Sequence, residues 1–259
     1  MSTDDTPPLY AVADGVATIT LNRPRHRNRL DDGDLRTLQR HVAAADADPA
    51  VRVLVLTAHV LPTAPVFSAG FHLGAFGDDA GAAVDAFARA ADTLAAARPV
   101  TIAALSGSVY GGATDLALAC DFRLGVEGMQ VRVPAAALGL HYYTSGLRRA
   151  VATLGLQATR RLFLAGETLQ ADALLALGFV DTLVAPDRLP AAVAERAAQL
   201  AALAPLAVQG MKRTLAELAL SEERAAEWRA REVATHASRD FAEGRRAFAE
   251  RRTPCFTGA

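Results

Sequence analysis

The stretch Ala104-Leu-Ser-Gly-Ser-Val-Tyr-Gly-Gly-Ala-Thr-Asp-Leu-Ala-Leu-Ala-Cys-Asp121 constrains the fold more than any other part of this 259-residue chain. An apolar, β-rich run, Pro99–Leu105, leads into it. Leu116–Cys120, almost free of polarity and rich in helix formers, leaves it. Gly107, Gly111 and Gly112 interrupt the apolar pattern between them. That order predicts a strand, a glycine turn and a buried helix. Glycine lets a ligand come close to the backbone. The first N–H groups of a helix have no internal partner and lie at the positive end of its dipole. A carbonyl oxygen that gains negative charge during a reaction is stabilised at such a place. A tight packing turn uses the same glycines, so both readings stand at this point. A phosphate loop is excluded, because Ala113-Thr114-Asp115 follows where that pattern needs Lys-Ser/Thr. Asp115 in the first turn is also suited to capping the helix or complementing its dipole.

With 51% apolar residues the chain can build the core of one large domain, or of one domain with a helical appendage. Its net charge of −1 gives no support for nucleic acid or an anionic membrane as a partner. Cys120 and Cys255 stand far apart and outside metal-ligand spacing, so no metal is expected, and a reduced, cytoplasmic compartment is. Pro99–Thr114 carries no charge but is too short and too glycine-rich to cross a membrane. The acidic start, Met1-Ser-Thr-Asp-Asp5, lacks the apolar centre of a signal peptide.

Taken in order, Tyr10–Leu21 alternates around Gly15 and predicts a hairpin. Asn22–Leu30 is a proline-containing, arginine-rich loop. Asp31–Ala47 has helical spacing with acidic residues at its start. Val51–Thr57 predicts a buried strand. Helices alternating with short strands imply parallel βαβ units. From about Pro190 the strand-like segments stop. Ala191–Leu203, Pro205–Leu220 and Glu222–Thr235 carry helical apolar spacing with arginine and glutamate on the other face. The expected division is a core domain over residues 1–189 and a helical oligomerisation region over residues 190–259.

Several segments, in one order, resemble the crotonase (enoyl-CoA hydratase/isomerase) superfamily. They are Phe67–Leu73, Gly107–Asp115, Ala119–Arg123, Leu138-Gly139 with Gly146 and Arg149, Leu164–Val180 and Glu243–Gly258. The likeness spans roughly residues 9–258. It implies an α/β fold built as a spiral of ββα units, with a C-terminal helical trimerisation region and a homotrimer or homohexamer as the assembly. It implies an acyl-CoA thioester as substrate, with coenzyme A as part of that substrate and no other cofactor. The backbone N–H groups of Phe71 and Gly112 correspond to the family's oxyanion hole, with Ala69 and Gly111 beside them at the substrate. Arg25 and Arg29 fall in the loop that resembles the family's CoA-holding segment, where guanidinium suits phosphate. His72, next to Phe71, falls near the site or the CoA, and His59 reads as exposed.

The chain also departs from the family. Hydratases of this superfamily flank a water with two glutamates. Here the first position is Asp115, and the second falls on Ala135. Adding water across a double bond needs a proton taken from water and one given to carbon. A shortened carboxylate with no second acid fits that route poorly. Leu138-Gly-Leu-His-Tyr-Tyr-Thr-Ser-Gly146 puts His141, Tyr142 and Tyr143 where relatives have a Gly/Pro-rich turn. The pattern resembles the superfamily's methylmalonyl-CoA decarboxylases, in which a tyrosine matching Tyr142 orients the substrate carboxylate, although those keep Glu where this chain has Asp115. Asp115, Tyr142 and His141 are therefore the candidate catalytic side chains, with Tyr143 against the substrate. Decarboxylation or isomerisation through a thioester enolate leads. Hydration using Asp115 and non-catalytic acyl-CoA binding are the alternatives.

Overall fold

The hairpin is present in the computed structural model, which describes residues 5–71, 80–219, 230, 233 and 237–255. Strands β1 (Leu9–Ala13) and β2 (Val16–Leu21) pair antiparallel through Asp14 and Gly15, both at positive φ. Such a two-residue turn matches the twist of the strands it joins. Helix α1 (Asp32–Ala47) opens with a capping box: Asp31 accepts from the Asp34 N–H at 2.9 Å, and Asp34 accepts from the Asp31 N–H at 3.2 Å.

Three turns of a ββα repeat follow, each giving one strand to a large sheet and the next to a small one. They are β3 (Val53–Ala58), β4 (Val66–Ser68) and α2 (Ala80–Ala95); β5 (Val100–Leu105), β6 (Ser108–Tyr110) and α3 (Ala113–Leu118); and β7 (Phe122–Val126), β8 (Gln130–Arg132) and α4 (Thr144–Phe163). After β9 (Leu169–Gln170) and α5 (Ala171–Ala176), β10 (Thr182–Val184) completes the large sheet. Its order is β1-β2-β3-β5-β7-β10, parallel from β2 onward, and the small sheet runs β4-β6-β8-β9. All six residues of β5 are buried, as expected of a strand covered on both faces.

Two details differ from the sequence reading. The glycine-rich stretch holds an extra strand, β6, because Ser108–Tyr110 pairs with the neighbouring turns of the spiral. The helix after it starts at Ala113 and has only six residues. Its dipole is correspondingly small, and direct N–H contacts matter more than the macrodipole.

In the C-terminal region α6 (Leu189–Ala201) packs across β3, β5 and β7. Helix α7 (Pro205–Ala219) is pinned by Lys212, whose Nζ donates to Asp121 at 2.7 Å and to the Pro99 carbonyl at 2.8 Å. Leu206, Met211 and Leu215 on that helix are exposed. Helix α8 (Arg239–Ala249) returns onto the Leu138–Gly139 turn of its own chain. Most of the predicted Glu222–Thr235 helix lies outside the described residues. Among those residues no single helix is long and apolar enough to cross a membrane.

Candidate active site

Two turns, one from each of the first two ββα units, meet at the end of the small sheet. Gly70 carries φ +81°, and a Cβ there would stand 2.6 Å from the Tyr110 oxygen and 2.9 Å from the Gly112 nitrogen. Only glycine tolerates both that conformation and that approach. The Ala69–Phe71 turn is thereby pressed against Tyr110–Gly112. On its other side it is held by the arginine-rich loop. Ala69 N–H donates to the Arg27 carbonyl (2.8 Å), Leu30 N–H donates to Gly70 (2.9 Å), and Leu30 bridges Phe71. The Gly112 N–H finds no backbone acceptor among the described residues. Phe87 of α2 packs on Gly112 so closely that an added Cβ would meet its ring at 2.8 Å, and its ring meets Phe71 edge-on at 6.1 Å.

These turns form one wall of a pocket whose empty space, including its mouth, is about 630 Å³. Ala69, Phe71, Gly111 and Gly112 line that wall, and Ala83, Val84 and Phe87 of α2 line the floor. The opposite wall comes from Val133–Ala135, Leu138 and Leu140–Tyr143. Of the ten residues singled out in the sequence, seven converge here: Ala69, Phe71, Gly111, Gly112, His141, Tyr142 and Tyr143. No Asp, Glu, Lys or Arg lines the pocket among the described residues. Ala135, the residue expected from the resemblance to stand for the family's second glutamate, does line it.

Asp115 sits behind the wall rather than in it. It is fully buried, and its carboxylate takes Arg149 Nε at 2.8 Å, Arg149 Nη2 at 2.5 Å and the Tyr143 hydroxyl at 2.6 Å. Arg149 also reaches Asp92 of α2 at 2.6 Å. Burial alone would lower the Arg149 value, but the Asp115 charge outweighs it and holds the guanidinium above its ordinary value. A bidentate pair of this kind is strong and directional. An oxygen already accepting from Arg149 and Tyr143 is poorly placed to carry a proton to a substrate. No local pattern signals this pairing, since Arg149 lies 34 positions away.

The two tyrosines differ although their rings stack at 4.6 Å. Tyr143 is satisfied by Asp115. Among the described residues the buried Tyr142 hydroxyl has no hydrogen-bond partner, and the Tyr142 ring meets Phe163 edge-on at 4.8 Å. Burial first, and then the Asp115 charge, raises both phenols well above the ordinary value of 10.0, so both are neutral hydroxyls at physiological pH. His141 Nδ1 lies 2.7 Å from the Tyr142 carbonyl. A carbonyl only accepts, so Nδ1 carries the proton, and Nε2 is the basic nitrogen of the neutral ring.

Arg25 and Arg29 do not line the pocket. Both side chains are exposed, and Arg29 precedes the Leu30–Phe71 bridge, outside the glycine wall. His59, expected to be exposed, is half-buried and bonded to Asn22 at 2.7 Å. His72 and Trp228 lie outside the described residues. No cluster of three or more His, Cys, Asp or Glu side chains able to hold a metal occurs among the described residues. The α2 contribution, Ala83, Val84 and Phe87, was missed in the sequence. Its only signal was apolar spacing that any core-facing helix shows.

The sequence model described as enoyl-CoA hydratase/isomerase matches residues 11–259. A probable enoyl-CoA hydratase (echA6) of Mycobacterium leprae is 32% identical over 252 residues, covering 95% of this chain and 98% of that protein. The 2,3-dehydroadipyl-CoA hydratase of Escherichia coli strain K12 is 31% identical over 250 residues, covering 94% and 95%. Among solved structures, methylmalonyl-CoA decarboxylase in complex with 2-nitronate-propionyl-CoA superposes with a TM-score of 0.86. Its identity is 22%, over 99% of this chain and 100% of that one, so this likeness speaks for the fold alone.

Proposed function

The chain belongs to the enoyl-CoA hydratase/isomerase family of acyl-CoA enzymes, and on that premise we propose that it decarboxylates a 2-carboxyacyl-CoA through a thioester enolate. The observation that carries this reading is the absence of any carboxylate from the pocket wall among the described residues. Decarboxylation needs no base to start. It needs a substrate carboxylate held perpendicular to the thioester plane and an oxyanion hole to receive the charge.

In this reading the thioester oxygen lies between the N–H groups of Phe71 and Gly112. The bond from the α-carbon to the carboxylate breaks, carbon dioxide leaves, and the electron pair passes into the enolate. Each such N–H donor is worth about 2.7–4 kcal/mol to the transition state. The unpartnered Tyr142 hydroxyl, a neutral donor, orients the leaving carboxylate. The α-carbon then takes a proton that His141 relays from solvent through Nε2, the position opposite the Nδ1–H bonded to Tyr142. Asp115 keeps α3 and the Tyr143 ring in place and transfers no proton. Arg25 and Arg29, exposed beside the glycine wall, meet the CoA phosphates. The exposed Leu206, Met211 and Leu215 of α7 support burial against further copies in a homotrimer or pair of trimers.

Hydration remains the second reading, favoured by the names of the curated relatives. Purified protein is mixed with methylmalonyl-CoA while released carbon dioxide is followed, and with crotonyl-CoA while the loss of the conjugated thioester absorbance is followed. The proposal expects turnover on the first substrate and little on the second. Crotonyl-CoA turnover without carbon dioxide release establishes hydration instead, and binding without turnover on either identifies a binder.

A further inference from the structure

Gly244 stands in the middle of the eleven-residue helix α8. Glycine in a helix interior costs about 1 kcal/mol relative to alanine. What the position requires is visible on its outer side. A Cβ at Gly244 would fall 2.1 Å from the Leu138 oxygen and 3.0 Å from the Gly139 nitrogen. The contact is reciprocal. Gly139 has φ +68°, and a Cβ there would lie 2.5 Å from the Asp240 oxygen and 3.0 Å from the Phe241 Cα. Helix and turn therefore touch backbone to backbone, with no side chain between them. Directly from this turn run Leu140, His141 and Tyr142, which line the pocket.

The helix is fixed from behind. Ser238 Oγ accepts from the Phe241 N–H at 3.0 Å, and the Phe241 ring is buried. The Glu243 carboxylate accepts from Arg252 Nη1 at 2.6 Å, the Cys255 N–H at 3.0 Å and Arg246 Nε at 3.1 Å, which folds the chain after α8 back onto it. Arg252 first, then the Cys255 N–H and Arg246, hold Glu243 well below the ordinary carboxylate range.

We propose that Gly244 is a positioning residue: its bare backbone seats α8 on Leu138–Gly139 and thereby fixes the loop that carries His141 and Tyr142 against the acyl group. The last part rests on the reading that this pocket takes the acyl group. The positioning itself is measured without any ligand.

The test is hydrogen exchange by mass spectrometry on the full-length protein, with near-ultraviolet circular dichroism and acetyl-CoA affinity. Gly244→Ala is expected to raise exchange over residues 136–143 about tenfold, while β3 stays protected. It is also expected to weaken the tyrosine dichroism of the stacked Tyr142–Tyr143 pair and to reduce acetyl-CoA affinity severalfold. Phe248→Ala, on an exposed site of the same helix, leaves all three unchanged. Helix propensity alone predicts the opposite sign, since alanine is the better helix former. A more stable Gly244→Ala protein with an unchanged loop overturns the proposal. Should Gly244→Ala fail to fold, Glu243→Gln, which adds no atom at the contact, must produce the same local loss over residues 136–143, and an unaltered loop there overturns it too. If the exchange and dichroism change as expected but the wild type does not bind acetyl-CoA, the positioning stands and the acyl-pocket reading falls.

Discussion

The two walls of the pocket are built from different material. One, Ala69–Phe71 with Tyr110–Gly112, is backbone, held by a glycine contact in which no side chain fits. The other, Val133–Ala135 with Leu138 and Leu140–Tyr143, is side chains: a valine, a proline, an alanine, two leucines, an imidazole and two phenols. A backbone wall can polarise a carbonyl whatever its neighbours are, because its donors belong to every residue. A side-chain wall decides what becomes of the resulting anion, and it can be exchanged without disturbing the first. That separation lets an alanine and three aromatic rings occupy one side while the two glycine turns on the other stay as they are.

The largest expected effect lies behind both walls. Asp115→Ala leaves the Arg149 guanidinium buried without its main partner, and unfolding measurements are expected to show a loss of about 3–5 kcal/mol. Replacing Asp115 and Arg149 together by leucine recovers most of it. A stable Asp115→Ala protein with altered proton transfer would instead make Asp115 part of the chemistry. Next, Gly70→Ala forces a side chain against Tyr110 and Gly112, and kcat with methylmalonyl-CoA is expected to fall by about 10²–10³-fold as one donor is displaced. An active Gly70→Ala enzyme breaks the backbone wall's claim to the chemistry.

The adjacent tyrosines sharpen the comparison within the side-chain wall. Tyr143→Phe removes a hydrogen bond to a buried carboxylate and is expected to cost about 1.5–3 kcal/mol of stability. Tyr142→Phe removes a buried hydroxyl that has no partner among the described residues, so stability is expected to hold or rise. Turnover of the carboxylated thioester is expected to fall about tenfold, equivalent to about 1.4 kcal/mol. Equal stability losses for the two variants would erase the distinction. The smallest effect is at alkaline pH. The folded state holds both phenols above their ordinary value of 10.0, so it favours the neutral forms. Stability present below pH 10 is expected to decline as pH rises beyond it, because the unfolded chain ionises first. Thermal melts against pH check this, and the decline is expected to be shallower in the double phenylalanine variant.

The Tyr110–Gly112 half of the backbone wall was legible in the sequence because its signal is local, whereas the Ala69–Phe71 half was reached only through the family resemblance. Gly107, Gly111 and Gly112 interrupt the apolar pattern after Pro99–Leu105, and a turn is read from neighbours in the chain. The Asp14-Gly15 hairpin and the Asp31 helix start were legible for the same reason. The extra strand β6 was hidden because three residues are too few to show a period. What escaped entirely were pairings across the spiral. Arg149 meets Asp115 and Asp92 only because three helices converge, and Gly244 meets Leu138 only because the chain returns after about a hundred residues. No periodicity encodes such meetings. Asp115 therefore read as a surviving acid or a helix-start carboxylate, whereas its surroundings make it the anchor of a buried ion pair.

The central claim is that the backbone wall polarises a thioester carbonyl, and isotope-edited infrared difference spectroscopy reads that directly. With acetyl-CoA carrying carbon-13 at its carbonyl, the bound thioester stretch should shift to lower frequency than in free acetyl-CoA, and the shift should shrink in Gly70→Ala. A bound acetyl-CoA whose carbonyl stretch is the same as in solution would contradict the account.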